Sequence, residues 1–347
     1  MRLRGACLVM VASSALSTAA FGQTPKVVMS EAMIPSSDPG VELYVRNKHA
    51  ADVTSFTADR TLLFIHGATY PAESAFDLPI EGVSMMDLFA QNGFDVYLVD
   101  VRSYGRSTRP PEMDRPPAAN KPIATSEEAG RDLGSAVDYV LARRGIQKLD
   151  LIGWSWGTSI AGNYTAGHND KINRLVLYAP AWTFEPAEAP PAAPTPAYRL
   201  VGKDGAKARW TRGVPEDKVA TLIPSGVFER WWDETIATDP VGSKMNPPML
   251  RAGDGVVVEF ANYWRAGKPY YDPGKITVAT LVIHAEWDAD LPSYLAEAYF
   301  AKLTAAPYKR FVELGEGTHS VMLEKNRMQF FHEILGFLTE SDPVALK

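Results

Sequence analysis

The sequence predicts an α/β protein whose doubly wound, mostly parallel sheet carries an inserted, mainly helical cap. Three observations lead there. Short apolar runs at Thr61–Ile65, Phe94–Val99, Leu149–Ile152, Leu175–Tyr178 and Ala279–Ile283 suit strands buried on both faces, as parallel pairing requires. Helix-compatible stretches separate them, so strand and helix alternate at the spacing of βαβ units. The alternation stops at about residue 181 and resumes at about 276. The expected division is therefore a core over 23–180 and 276–347, with a cap over 181–275.

Residues 1–22 open with Arg2 and Arg4, run through apolar and small residues from Ala6, and end in Ala20-Phe21-Gly22. That order reads as a secretory signal peptide cut after Gly22, so the chain is expected to be exported, periplasmic or secreted. The run is too short and too rich in Ser, Thr and Ala for a stable membrane span. Residues 23–40 read as an irregular lead-in, and Val41–Val45 alternates as a first, edge strand. His66–Pro71 is a loop, and Met85–Gln91 suits a helix closed by Asn92-Gly93. A turn, Asp100–Ser107, and a Pro-rich loop, Arg109–Pro122, follow the strand that ends at Val99. Ser126, Glu127 and Glu128 open a long helix to about Arg144, with acids at its N-terminus and Arg143 and Arg144 at its C-terminus, as the helix dipole favours.

In the cap, Pro186, Pro190, Pro191, Pro194 and Pro196 break up a stretch with no strand pattern. Short helical pieces are expected after it at 216–223, 227–238 and 256–265. The resumed core should hold a helix near Pro292–Leu303, a strand at Lys309–Leu314 and a final helix at about Glu324–Leu338.

With 46% hydrophobic and 22% charged residues, a chain of 347 residues can bury a sizeable core. A net charge of −6 without a Lys/Arg-rich run argues against nucleic-acid binding. Loss of residues 1–22 removes two Arg and no acid, which shifts the charge to −8, and removes Cys7, the sole cysteine. The mature chain then has no disulfide, no Cys nucleophile and no Cys metal site. The histidines lack the short ligand patterns of zinc sites, so no metal or other cofactor is expected.

The chemistry centres on Gly153-Trp154-Ser155-Trp156-Gly157, a G-x-S-x-G pentapeptide. Three fixed positions of this kind arise by chance in about one in ten chains of such length. A strand before it and small residues (Thr158, Ser159, Ala161, Gly162) after it make the stretch a nucleophile elbow. A serine hydroxyl needs a base, and the base an orienting acid. The strand ending at Ile283 leads to His284-Ala285-Glu286-Trp287-Asp288-Ala289-Asp290, and the strand ending at Leu314 leads to Gly315-Glu316-Gly317-Thr318-His319. All these residues follow strand carboxyl ends, where open α/β sheets place their sites. Asp290 is an alternative acid to Asp288. His66 and His284 suit local loop and packing roles, Asp100 suits a structural hydrogen bond in its turn, and His49, His168 and His332 suit solvated positions. Trp154 and Trp156 flank the serine, so at least one should line a pocket.

Residues 41–180 and 276–338 resemble the α/β-hydrolase fold family. The resemblance rests on His66-Gly67, the Asp-x-Arg-x-x-Gly-x-Ser turn from Asp100 to Ser107, the elbow, Ala285-Glu286-Trp287-Asp288 in place of Gly-x-x-Asp, and the late His319. It implies Ser155 as nucleophile, His319 as general base and then acid, and Asp288 as the group that holds the imidazole tautomer. The oxyanion hole it implies is made by the backbone N–H groups of Trp156 and Ala68, with Thr69 the alternative to Ala68. Ser103 stands where the family commonly has Gly.

The function implied is an exported serine hydrolase cleaving a carboxylic ester or lactone through an acyl-enzyme. A serine at the elbow argues against the haloalkane dehalogenase and epoxide hydrolase branches, whose nucleophile is a carboxylate. The Trp-rich cap points to a small or medium hydrophobic substrate. A proline-iminopeptidase-like aminopeptidase or amidase is the enzymatic alternative, since Ser155-Trp156-Gly157 is similar to that elbow; the missing Gly-Gly-Pro-Gly run counts against it. A non-catalytic ligand-binding protein on the same fold is the alternative from another class.

Overall fold

A computed structural model describes residues 24–185 and 195–341. The expected signal peptide 1–22 and Pro186, Pro190, Pro191 and Pro194 lie outside these residues. The chain enters through β1 (Val27–Pro35) and β2 (Glu42–Ala50), then runs β3 (Thr61–Ile65), α1 (Ala72–Phe76), α2 (Met85–Gln91) and β4 (Asp95–Val99). It continues with α3 (Ser126–Arg144), β5 (Leu149–Trp154), α4 (Trp156–Gly167) and β6 (Ile172–Tyr178). The segment after β6 holds β7 (Tyr198–Gly202), α5 (Lys203–Trp210), α6 (Val219–Leu222), α7 (Val227–Ala237), β8 (Met249–Gly253) and α8 (Gly255–Glu259). Last come β9 (Ala279–Ala285), α9 (Ser293–Lys302), β10 (Lys309–Leu314) and α10 (Arg327–Thr339).

Eight strands form one sheet in the order β1-β2-β4-β3-β5-β6-β9-β10. β2 runs antiparallel to β1 and β4, and every other neighbouring pair is parallel. Every residue of β3, β4 and β5 is buried. That is why these strands read as apolar runs rather than alternating ones. The flanking helices carry their own start and stop signals. Ser84 and Asp87 form a reciprocal capping box on α2, and Thr125 and Glu128 form one on α3. Gly145, at φ 64°, closes α3 in the left-handed conformation.

Two expectations at the edge of the sheet need correction. Residues 23–40 are not an irregular lead-in, because Val27–Pro35 pairs with β2 over nine residue pairs. The strand expected at Val41–Val45 is consequently the second one and not the edge. Outside-facing Met29, Met33 and Glu31 give β1 a weak apolar signature, since an edge strand buries little of its surface.

β6 and β9 are parallel neighbours, so the segment between them leaves and rejoins the sheet at adjacent points. Its helices fall close to the expected places at 216–223, 227–238 and 256–265. The antiparallel ribbon β7–β8 was not expected. Its strands are 46 residues apart in sequence, and a pairing at that distance leaves no local turn signal. The segment seats on the core through aromatic contacts. Trp231 meets Tyr70 edge to face at 4.6 Å, and Trp182 meets Tyr299 at 5.2 Å; within the segment Trp231 also meets Trp210 at 5.0 Å.

Candidate active site

The elbow between β5 and α4 turns in one residue. Ser155 has φ 55° and ψ −123°, a backbone conformation that costs free energy and persists because its surroundings fix it. The turn is possible only with glycine on both sides. A Cβ on Gly153 would lie 2.5 Å from the Gly157 carbonyl oxygen, and one on Gly157 would lie 2.5 Å from that of His66. The Ser155 N–H donates to Tyr178 O at 2.9 Å, which fastens the elbow to β6. Trp156 is the first residue of α4, so its N–H has no acceptor within the helix.

The loop after β3 lies against the elbow. A Cβ on Gly67 would be 2.8 Å from that of Ser155. His66 is fully buried, its Nδ1 2.7 Å from Gly67 O and its Nε2 accepting from the Val101 N–H at 3.2 Å. One donating and one accepting ring nitrogen define a neutral imidazole. Burial holds its pKa down to about 4. Asp100 braces the same region from below. Its Oδ1 accepts from Ala72 N at 2.8 Å and its Oδ2 from Arg106 N at 3.2 Å, while burial raises its pKa to about 6.

Asp288 and His319 come from the ends of β9 and β10 and meet. Asp288 Oδ2 is 2.7 Å from His319 Nδ1, and both residues are buried. The other carboxylate oxygen, Oδ1, accepts from the backbone N–H groups of Asp290 and Leu291 at 2.9 and 3.0 Å. Three anchors hold the His319 loop. Trp154 Nε1 donates to His319 O at 2.8 Å, Tyr178 donates to Thr318 O at 2.5 Å, and Glu324 accepts from Thr318 N at 2.9 Å. Glu324 is buried, also accepts from Trp210 Nε1 at 2.8 Å, and is pushed by burial to a pKa of about 7.

Asp290 neither faces His319 nor lies in solvent or at a helix N-terminus. Its carboxylate binds Arg209 Nε at 2.6 Å and Arg212 Nη2, both from the segment between β6 and β9. Arg199 and Arg209 also reach Thr69 Oγ1, at 2.5 and 3.3 Å. Thr69 has φ 99° and is buried. These arginines escaped the sequence reading because no motif surrounds them. Glu324 escaped it because its role depends on a loop turning back over it.

A cavity of about 280 Å³ opens at Ser155, lined by Ala68, Trp156, Val256, Phe260, Trp264 and the three arginines among others. Among the described residues no group of three or more His, Cys, Asp or Glu side chains is placed to hold a metal ion. A serine in a strained turn at a partly apolar pocket, with a carboxylate-oriented imidazole on a loop bonded to the neighbouring Trp154, is an arrangement suited to covalent acyl transfer.

The family follows from fold and sequence together. The sequence model of the alpha/beta hydrolase fold matches residues 60–326, and the chain belongs to that family of hydrolases. Among solved structures, one similar to it is a serine hydrolase involved in carbazole degradation, with 17% identity, a TM-score of 0.60, and 90% of this chain and 99% of that one covered. A meta-cleavage product hydrolase from Pseudomonas fluorescens IP01 matches at 14% identity and a TM-score of 0.60, covering 90% of this chain and 98% of its own. A thermophilic esterase from Thermogutta terrifontis matches at 19% identity and a TM-score of 0.56, over 90% and 100%. No curated protein matches the chain by sequence.

Proposed function

We propose that the chain is an exported serine hydrolase that cleaves a carboxylic ester or lactone through an acyl-enzyme. The observation that carries this reading is the 2.7 Å contact between Asp288 and His319, on a loop whose His319 carbonyl bonds Trp154, the residue before a serine held at φ 55°. Ser155 attacks the carbonyl carbon while His319 takes its proton, and Asp288 stabilises the imidazolium that forms. The tetrahedral oxyanion accepts from the N–H groups of Trp156 and Ala68. Ala68 is favoured over Thr69 because Ala68 lines the cavity at Ser155 and Thr69 does not. Collapse expels the alcohol, protonated by His319; water then attacks the acyl-enzyme by the same path in reverse.

A fluorophosphonate probe should label the wild type and leave Ser155→Ala unlabelled. His319→Ala should keep its fold and lose about three decades or more of kcat on p-nitrophenyl esters. Probe labelling that survives in Ser155→Ala would remove the nucleophile assignment. A folded wild type that binds esters without turning them over would favour the ligand-binding alternative.

A further inference from the structure

The cavity at Ser155 is not uniformly apolar. Its lining combines apolar Val256, Val257, Phe260 and Trp264 with Arg199, Arg209, Arg212 and Arg265, and among the described residues holds Asp290 as its one carboxylate. An acidic chain has thus placed four guanidinium groups around the cavity that opens at the serine. For Arg199, Arg209 and Arg212 the acidic partners do not balance the cations. Arg199 is matched by Asp254 at 2.8 Å, but Arg209 and Arg212 share the single carboxylate of Asp290. The cluster therefore keeps a positive charge. Asp290 is 10% exposed, whereas Arg209 is 36% and Arg212 56% exposed, so the cations and not the acid face the open space.

The donors are available as well as the charge. A guanidinium carries five N–H donors in a planar fork. Both contacts of Arg212, to Asp290 and to Ala289 O, use Nη2, which leaves its Nε and Nη1 groups for a further acceptor. Asp290 fixes this fork relative to the chemistry, because its own N–H donates to the carboxylate of Asp288 at 2.9 Å. A planar anion is what such a fork recognises best, through two parallel charge-assisted bonds.

We propose that the substrate is an amphiphilic ester or lactone bearing a carboxylate, which Arg209 and Arg212 bind while its apolar part lies against Val256, Phe260 and Trp264. The inference rests on the serine-hydrolase reading and narrows its substrate class. It explains why a partly apolar pocket carries more cations than acidic partners, an excess that an uncharged ester would leave unbalanced. The carboxylate can belong to the acyl part or to the alcohol part, and both place the same group on the same fork.

The test uses two substrate pairs that differ only in charge. On the acyl side, the mono-4-nitrophenyl ester of adipic acid is compared with that of adipic monoamide. On the alcohol side, 3-carboxyphenyl hexanoate is compared with 3-carbamoylphenyl hexanoate. In at least one pair the acid should exceed the amide in kcat/KM by about tenfold or more, and that ratio should shrink in 0.5 M salt. Arg212→Gln should pull the ratio toward one. A ratio taken within one enzyme is insensitive to a loss of folded material. Amides turned over as well as acids in both pairs would overturn the proposal and leave the serine hydrolase standing. If the probe labels Ser155 but neither pair reacts, adipate must protect against labelling better than adipamide, and equal protection overturns the proposal. Failure of the probe to label Ser155 overturns both readings.

Discussion

At the residue scale, the two aspartates after β9 have separate partners set by which way each side chain turns. Asp288 meets His319, while Asp290 is held by Arg209 and Arg212. An amide at position 288 keeps the shape but favours the wrong imidazole tautomer, which in a serine protease cost about four decades of kcat. Asp288→Asn should therefore cut kcat on a neutral p-nitrophenyl ester by several decades with little change in Tm. Asp290→Asn should lose no more than about tenfold. The reverse order of losses would move the acid to Asp290. A second residue-level prediction concerns Ser103, which is buried at φ 74° with its hydroxyl lacking a partner. Glycine relieves about 1–2 kcal/mol of left-handed strain and the orphaned hydroxyl, against an entropic cost of roughly 0.5–1 kcal/mol. Ser103→Gly should raise Tm by about 2 °C in a thermal melt.

At the scale of elements, the site depends on loops that follow β3, β5, β9 and β10 and on what lies beneath them. Glu324, just past the His319 loop, ties that loop to Trp210 of α5. Its pKa is raised by burial from 4.5 to about 7, so the folded protein holds a proton there that the unfolded chain releases. The stability this confers is full below about pH 4.5, declines as pH rises, and is gone above about pH 7, a swing on the order of 3 kcal/mol. His66 works in the opposite direction. Its folded pKa of about 4 means that stability is present above pH 6.5 and lost as pH falls through 4. Comparing wild type with Glu324→Gln isolates the first effect. The difference in unfolding free energy, wild type minus variant, should fall between pH 4.5 and pH 7 in denaturant titrations. A flat difference across that window would place the proton elsewhere.

At the scale of the whole molecule, the sheet positions Ser155, Asp288 and His319, and the segment between β6 and β9 supplies most of the pocket lining. Arg199, Arg209 and Arg212 from that segment reach Thr69 and Asp290 on the core, so pocket shape and loop geometry are set by the same contacts. Among the described residues no helix is long and apolar enough to cross a membrane. Export remains a proposal drawn from Arg2, Arg4 and the run to Gly22. Intact mass measurement of the native protein should find an N-terminus near Gln23, and a retained Met1 would refute it.

The sequence by itself determined what depends on neighbours along the chain. Buried parallel strands appear as apolar runs at Thr61–Ile65 and Leu149–Ile152 because both faces are covered. The elbow is legible because the backbone at Ser155 tolerates no side chain at Gly153 or Gly157. Asp288 and His319 are legible because strand carboxyl ends are fixed points of an α/β sheet. Only the tertiary structure decided what depends on distant segments meeting. β1 is a strand because β2 lies beside it, and β7 is one because β8, 46 residues later, pairs with it. Glu324 matters because the His319 loop folds over it. The positive part of the pocket lining exists because three arginines without a motif converge on one aspartate and one threonine. Charge pairing acts through space, and spacing along the chain does not encode it.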